Sequence, residues 1–161
     1  MQKKLNMEIK FRESFRPFAP AVLEEDVSEY FEPDGSSPYM LLTASVANKY
    51  RLSVSDEYDG LDYSSKLYAH RSLFQAITHV DFSARIQTVT ARTNPVFHAL
   101  IKTFKTLTGC GMVVNTSFNV RSEPIVCTPD DAYSCFLNTG MDYLAMENYL
   151  FSKEQSRTAT D

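Results

Sequence analysis

The chain has 161 residues, of which 43% are hydrophobic and 22% charged, and a net charge of −4. This composition is typical of one globular domain and excludes an intrinsically disordered chain, while the acidic balance argues against broad nucleic-acid binding. No apolar run approaches the roughly 20 residues of a membrane span. The three cysteines lack metal-ligand spacing and the N-terminus lacks a signal peptide's apolar core, so we expect a reduced cytoplasmic protein without a metal site.

The N-terminal segment is basic and alternates in polarity. Residues 8–12 (Glu-Ile-Lys-Phe-Arg) have a period of two, which predicts a strand or extended segment with its basic residues on one face. Lys10, Arg12 and Arg16 could therefore bind an anion together. A solvated edge strand whose cations serve solubility fits the same pattern.

An acidic segment and several strands follow. Leu23–Phe31 carries an i, i+3, i+4 apolar stripe and predicts a short amphipathic helix, and Tyr39–Val46 predicts a buried strand. Phe74–Val80 and Arg85–Thr90 are predicted to pair as a hairpin. Arg85 would then begin the second strand and face the loop end.

The segment 47–71 is rich in acidic residues and indicates a surface excursion whose role the sequence leaves open. Next to the predicted hairpin turn, His79 and Asp81 could form an acid–base pair. The sequence offers no third partner for this pair, so a structural histidine is the favoured interpretation.

Two helices have clear start signals. Asn94-Pro95 supplies a cap and a first-turn proline, and Gly109 can end the helix. Its apolar residues at helical spacing predict a core-packing face opposite a solvated one. The apolar set is Phe97, Leu100, Ile101, Phe104 and Leu107, and the solvated set is His98, Lys102 and Lys105.

Thr128-Pro129 begins the second helix with two acidic residues in its first turn, which suit the helix dipole. Tyr143–Leu150 predicts a final strand, and residues 152–161 predict a disordered tail. About six strands mixed with three or four helices predict an α/β (α+β) fold, with helices packed on a twisted mixed sheet.

One stretch is typical of a binding site. The apolar run 112–114 opens into Asn-Thr-Ser-Phe-Asn at 115–119, followed by Arg121. A strand that ends in clustered amides and hydroxyls delivers polar side chains to a crevice, whereas a core would leave those groups without partners. Ser117 and Asn119 are therefore candidate binding residues.

Phosphate binding is the chemistry that fits the polar residues best. The sequence has no Walker loop, GxGxxG, nucleophile elbow or HExxH. Guanidinium groups bind phosphates in bidentate fashion, and ammonium groups do so as point charges. The cations at positions 10, 12, 85 and 121, with the polar groups at 117 and 119, predict an anionic nucleotide ligand, although scattered surface arginines are common.

Several segments also resemble a known family, in the family's order. They are Lys-Phe-Arg-Glu-Ser-Phe-Arg-Pro-Phe-Ala-Pro at 10–20, Thr-His-Val-Asp at 78–81, Arg-Ile-Gln-Thr-Val at 85–89, Asn-Thr-Ser-Phe-Asn at 115–119, Glu-Pro-Ile-Val at 123–126, Thr-Pro-Asp-Asp-Ala at 128–132 and Asn-Tyr-Leu at 148–150. Across about residues 5–151 the chain resembles the C-terminal domain of the ATP-dependent O-carbamoyltransferases of nodulation-factor and antibiotic tailoring.

The resemblance implies a YrdC-like fold and a reaction. A carbamoyl group from carbamoyl phosphate would be activated with ATP and Mg²⁺ as carbamoyl-adenylate, with loss of pyrophosphate. By resemblance, Lys10 and Arg12 match the family's Lys-x-Arg, Ser117 and Asn119 its Ser-x-Asn, and Arg85 a further arginine. The expected catalytic residues are thus Lys10, Arg12 and Arg85, and the expected nucleotide- or carbamoyl-binding residues are Ser117, Asn119, Arg121 and Arg16.

The resemblance also implies a partner. In that family a separate N-terminal ASKHA-type domain, which binds metal through histidines, passes the carbamoyl group to an acceptor hydroxyl. We expect residues 1–151 to form a single domain without that neighbour, as a fragment or as a stand-alone protein that works with a transferase domain in trans. One departure is Asp81-Phe82-Ser83, where the family has a glycine in the turn.

Two alternatives to an enzyme domain remain. The chain could be a non-catalytic nucleotide-binding or docking module that needs a transferase domain, or that self-associates as a homodimer in its place. A lesser alternative is an RNA-binding module on a YrdC-like concave surface, which the net charge of −4 disfavours.

Overall fold

The computed structural model describes residues 1–32, 35–52 and 58–154. The chain divides into two compact units. One, here called the sheet unit, is Pro17–Thr116; the other, the terminal unit, combines Met1–Arg16 with Ser117–Asp161. This division falls inside the region predicted as a single domain.

The α-helices are α1 Gln2–Lys4, α2 Val27–Tyr30, α3 Tyr63–Tyr68, α4 Pro95–Thr108 and α5 Pro129–Leu137. The strands are β1 Ala19–Leu23, β2 Phe31–Glu32, β3 Leu42–Val46, β4 Ser83–Val89, β5 Met112–Asn115, β6 Tyr143–Met146 and β7 Tyr149–Ser152. A π-helical segment, Leu5–Ile9, continues α1, and short 3-10 turns lie at Glu24–Asp26 and Asn48–Tyr50.

The sheet unit is built on a five-stranded sheet in the order β2-β3-β4-β1-β5. The central pair β1–β4 is parallel and the other neighbours are antiparallel. All five residues of β1 are buried, as expected for a central strand covered on both faces. The predicted mixed α/β sheet is confirmed.

A small apolar core joins this sheet to α4. Ala21, Leu23, Val89 and Ile101 are buried together, with Phe97 packed against them. Since burial of one such aliphatic side chain contributes about 1.5–3 kcal/mol, this cluster fixes α4 on the sheet.

Helix α4 begins and ends where the sequence predicted. Asn94 Oδ1 accepts a hydrogen bond from the Phe97 backbone N–H at 3.3 Å, and Gly109 takes a left-handed φ of 78° that favours glycine. None of the helices in the described segments is long and apolar enough to cross a membrane.

The two faces of α4 differ from the prediction. Ile101 is fully buried, but Leu100 and Leu107 are exposed by 55% and 79%. His98, predicted to be solvated, is buried, and its Nε2 lies 2.8 Å from Glu25 Oε1. The prediction that His98 is solvated was wrong because its partner, the Glu25 carboxylate, comes from a separate turn and is not visible in the sequence pattern of α4.

Two strand predictions were also wrong. Within residues 8–12, Glu8 and Ile9 end the π-helical segment and positions 10 and 12 follow it as bends, whereas residues 74–80 are mostly turn rather than half of a hairpin. In the second case, Thr78 Oγ1 donates to the Phe74 carbonyl at 2.9 Å and lies 2.7 Å from Ser72 Oγ. Such local side-chain bonds compete with a strand ladder.

The terminal unit contains α5 and a hairpin. The predicted single strand at 143–150 is instead β6 and β7, joined by a turn in which Glu147 adopts a φ of 50°. In the region predicted as a disordered tail, Ser152 ends β7 and Lys153 Nζ donates to the carbonyl of Thr139 at 2.7 Å. Residues 155–161 lie outside the described residues.

Candidate functional site

The N-terminal segment owes its shape to a buried asparagine. Asn6 is fully buried; its Nδ2 donates to the carbonyls of Ser14 and Arg16 at 3.2 and 2.8 Å. Its Oδ1 accepts from Arg12 Nε at 2.6 Å. Asn6 therefore holds the loop 12–16 and orients one predicted site arginine. Sequence reasoning missed this residue, because nothing in its spacing distinguishes it.

Lys10 is the centre of the site in the terminal unit. It is only 6% exposed, and its Nζ contacts oxygens of two residues that are 107 and 109 positions away. The distances are 2.8 and 3.3 Å to the carbonyl and Oγ of Ser117, and 2.6 and 2.8 Å to the carbonyl and Oδ1 of Asn119. The structure thus brings together three of the predicted site residues.

The loop that carries Ser117 and Asn119 is held from the other side as well. Ser117 Oγ donates to Asn119 Oδ1 at 2.6 Å, and Asn119 Nδ2 donates to the carbonyl of Glu123 at 2.9 Å. The Arg121 backbone N–H donates to the carbonyl of Lys10 at 3.3 Å. These bonds preorganise the loop, which lowers the cost of ordering it around a ligand.

Burial lowers the pKa of Lys10, and the neighbouring Arg12 charge lowers it further. An ammonium has three N–H donors, and four oxygens surround this one. In the described geometry Lys10 therefore orients Ser117 and Asn119. Direct phosphate binding by Lys10 stays a prediction.

Three guanidinium groups, which we call the arginine cluster, lie close enough to the Glu13 carboxylate to interact with it electrostatically. Nη1 of Arg16 and of Arg121 lies 3.4 and 3.9 Å from the Glu13 carboxylate. Burial lowers the pKa of Arg12, and the charge of Arg16 lowers it further. The cluster therefore consists of Arg12, Arg16 and Arg121.

Glu13 only partly neutralises this cluster. Its pKa is lowered by a hydrogen bond from its own backbone N–H and by the charges of Arg121 and Arg16. Arg16 and Arg121 share this single carboxylate, which leaves an excess of positive charge between the two guanidinium groups and favours an anionic ligand. Sequence reasoning did not identify Glu13 as part of the site.

The sequence of this chain is similar to a family of known proteins. The family described as "Carbamoyltransferase C-terminus" matches residues 1–153. This chain belongs to that family. The family prediction made from the sequence motifs is therefore confirmed.

Relatives of this carbamoyltransferase C-terminal domain are much longer proteins. An uncharacterized protein of Synechocystis is 57% identical over 95% of this chain and 25% of its own length. Nodulation protein NolO of Bradyrhizobium diazoefficiens is 40% identical over 93% of this chain and 24% of its own length. A 3'-hydroxymethylcephem-O-carbamoyltransferase of Amycolatopsis lactamdurans is 37% identical over 74% of this chain and 19% of its own length. The chain spans a quarter or less of the length of these relatives.

Arg85 of this carbamoyltransferase C-terminal domain lies in the sheet unit, in β4, with its side chain exposed and its backbone opposite Thr43. Since Lys10 and Arg12 belong to the terminal unit, the expectation that Arg85 joins them stays a prediction.

The turn before β4, where the resemblance implied a glycine, contains a residue in the left-handed conformation. Phe82 adopts a φ of 63°, the left-handed conformation that glycine adopts without strain. His79 Nδ1 lies 3.0 Å from Ser83 Oγ, and the Ser83 N–H donates to Asp81 Oδ1 at 3.0 Å. These bonds close the turn, which favours the structural interpretation of His79.

Among the described residues, no group of three or more His, Cys, Asp or Glu side chains could hold a metal ion. Mg²⁺ in nucleotide sites commonly keeps one or two carboxylates and otherwise binds substrate phosphates. The described residues thus provide no such protein cage for the expected Mg²⁺.

Proposed function

We propose that this carbamoyltransferase C-terminal domain binds ATP and activates a carbamoyl group as carbamoyl-adenylate. The observation that supports this is the position of the arginine cluster beside the Lys10–Ser117–Asn119 group within one compact unit. Guanidinium groups match phosphate oxygens geometrically, and clustered hydroxyl and amide groups suit a small polar acyl group.

The proposed step needs charge stabilisation rather than a protein nucleophile. Water first hydrolyses carbamoyl phosphate, which breaks its C–O–P linkage and releases inorganic phosphate and carbamate. A carbamate oxygen then attacks the α-phosphorus of ATP and forms a new P–O bond. The bond from the α-phosphorus to its bridging oxygen breaks, and pyrophosphate leaves with the electron pair. The arginine cluster would bind the phosphoryl oxygens on which negative charge accumulates.

In this scheme Lys10 fixes the donors and acceptors that face the carbamoyl group. Ser117 Oγ and the Asn119 side chain are both held by Lys10 Nζ, so their orientation is set before the ligand binds. Mg²⁺ would accompany ATP as the counter-ion of its phosphates.

Pyrophosphate release tests the proposal. With ATP and carbamoyl phosphate, the wild-type chain should release pyrophosphate, and an Arg16→Gln, Arg121→Gln variant should release it at least about tenfold more slowly. Both side chains are more than half exposed, so the variant should fold. A Lys3→Gln, Lys4→Gln variant removes the same charge from exposed positions and should match wild type. Equal rates in all three would contradict the proposal.

A second candidate function is that of a module that binds nucleotide but needs a transferase domain for turnover. An exposed apolar surface on α4 favours it. Val96, Leu100 and Leu107 of α4 are exposed by 80%, 55% and 79%, and the relatives of this domain are far longer. Exposed apolar surface of this kind often marks a partner-binding face. ATP binding without turnover, with turnover restored by an added transferase domain, would select this candidate, and light scattering would show whether copies of the chain associate instead.

A further inference from the structure

The terminal unit contains a cavity of about 450 Å³, a size typical of sites for small molecules. Its wall includes apolar side chains, two carboxylates and small polar groups. Among the described residues that line it, none is lysine, arginine or histidine. The residues that matter for its chemistry are Phe11, Val120, Glu123, Ile125, Asp131 and Asn138.

The cavity adjoins the arginine cluster along the chain. Phe11 directly precedes Arg12, and Val120 directly precedes Arg121. Phe11 has a φ of 49°, a strained conformation for an aromatic residue, and the residue is 46% exposed. A strained backbone that presents an aromatic ring at a cavity is a common feature of ligand sites.

The cavity wall carries carboxylates and the arginine cluster carries guanidinium groups, so the phosphates of a bound ligand would point away from the cavity and toward the arginine cluster. Asp131 Oδ2 is already occupied by the backbone N–H groups of Thr128 and Cys127, at 3.0 and 3.2 Å. Glu123 leaves a carboxylate in the cavity wall, and its charge contributes to raising the pKa of the Cys135 thiol, after burial as the larger cause. Phosphates would be repelled by this wall and attracted by the arginine cluster.

We propose that the cavity beside Phe11 binds the amino-bearing purine of the nucleotide, with the base stacked on the Phe11 ring and its exocyclic amino group donating to Glu123. The phosphates then lie at the arginine cluster. Any base can stack on an aromatic ring, and a carboxylate accepts a hydrogen bond from an exocyclic amino group. The inference rests on the proposed function, because it places the remaining part of the same ATP molecule.

Calorimetry with ATP and inorganic tripolyphosphate separates the base from the phosphates. Phe11→Ala should weaken ATP binding about fivefold or more and leave tripolyphosphate binding within about twofold. Tyr143→Ala, an exposed aromatic residue of the same unit, should change neither. If Phe11→Ala does not fold, Ile125→Trp, from a rim residue that is 59% exposed, should fill the cavity and give the same pattern.

A base swap tests the carboxylate. Wild type should prefer ATP to inosine triphosphate, which has a carbonyl in place of the amino group, by about tenfold, and Glu123→Gln should lose most of that preference. Equal weakening of ATP and tripolyphosphate in Phe11→Ala, or unchanged ATP binding, would overturn this inference alone. Failure of wild type to bind either ligand would overturn the proposed function as well.

Discussion

At the scale of single residues, Lys10 shows how one buried charge can organise a distant loop. Its ammonium lies within hydrogen-bonding distance of four oxygens of Ser117 and Asn119, which would otherwise bind water. A buried charge is costly unless it is fully hydrogen-bonded, and this one is. The residue therefore contributes to stability as well as to the shape of the site.

Replacing Lys10 by methionine should lower the free energy of unfolding by about 1–3 kcal/mol, because oxygens that it satisfies lose their partner. Urea unfolding followed by circular dichroism measures this. Lys4→Met, at an exposed position of the same unit, should leave the midpoint unchanged. A Lys10→Met chain of unaltered stability that no longer binds ATP would show that Lys10 acts as a phosphate ligand instead.

His79 should make stability depend on pH. Burial lowers its pKa below the ordinary value of 6.5, against the opposing effect of the Asp81 carboxylate. The unfolded chain then binds the proton first, so the free energy of unfolding falls as pH drops below about 7 and levels off below the folded pKa. His79→Asn should reduce this slope in urea titrations, whereas His70→Asn, at an exposed position, should keep it.

At the scale of elements, α5 is defined by local bonds at its N-terminus. Thr128 Oγ1 accepts from the Asp131 N–H at 3.1 Å, and Asp131 Oδ2 accepts from the Thr128 N–H at 3.0 Å. This reciprocal pair is a capping box, with Pro129 at the first helical position. The helix places Ala132, Cys135 and Phe136 in the core of the terminal unit.

Thr128→Ala should destabilise the chain by about 1 kcal/mol, and Thr128→Ser should restore most of that loss, because serine keeps the accepting hydroxyl.

Hydrogen bonds from Thr128 and Cys127 lower the pKa of Asp131 below its ordinary 3.8. The Asp131 contribution is therefore present above about pH 4 and lost as pH falls through the folded pKa. Thermal unfolding across this range would detect both effects; a Thr128→Ala chain as stable as wild type would contradict them.

The helices also show what a sequence pattern can specify. The ends of α4 were predicted correctly because Asn94, Pro95 and Gly109 act on their own backbone neighbours. The faces were not, because the exposure of Leu100 and the pairing of His98 with Glu25 depend on which elements pack nearby. Periodicity identifies an apolar stripe but not the surface that covers it.

At the scale of the whole molecule, the two units differ in how the chain forms them. The sheet unit uses one continuous segment, Pro17–Thr116, whereas the terminal unit needs both ends of the described chain. Because the terminal unit brings two distant chain segments together, its folding loses conformational entropy of the intervening chain, a loss that the sheet unit does not incur.

Residues 17–116 alone should therefore fold, with mixed helix and strand signals in far-ultraviolet circular dichroism and a cooperative urea transition. A fragment of equal length, residues 45–144, cuts across both units and should not unfold cooperatively. Non-cooperative unfolding of 17–116 would mean that the sheet unit depends on the rest of the chain.

The sequence by itself determined the mixed sheet, the limits of α4, the start of α5 and the family, because periodicity, caps and ordered motifs are local properties. The residue types in the sequence also identified the polar side chains as candidate site residues. Only the tertiary structure decided that Lys10 binds Ser117 and Asn119, that Glu13 lies among the arginines, and that residues 5–9 are helical. Those outcomes depend on contacts between segments more than 100 residues apart and on a buried Asn6, whose partners no sequence spacing reveals.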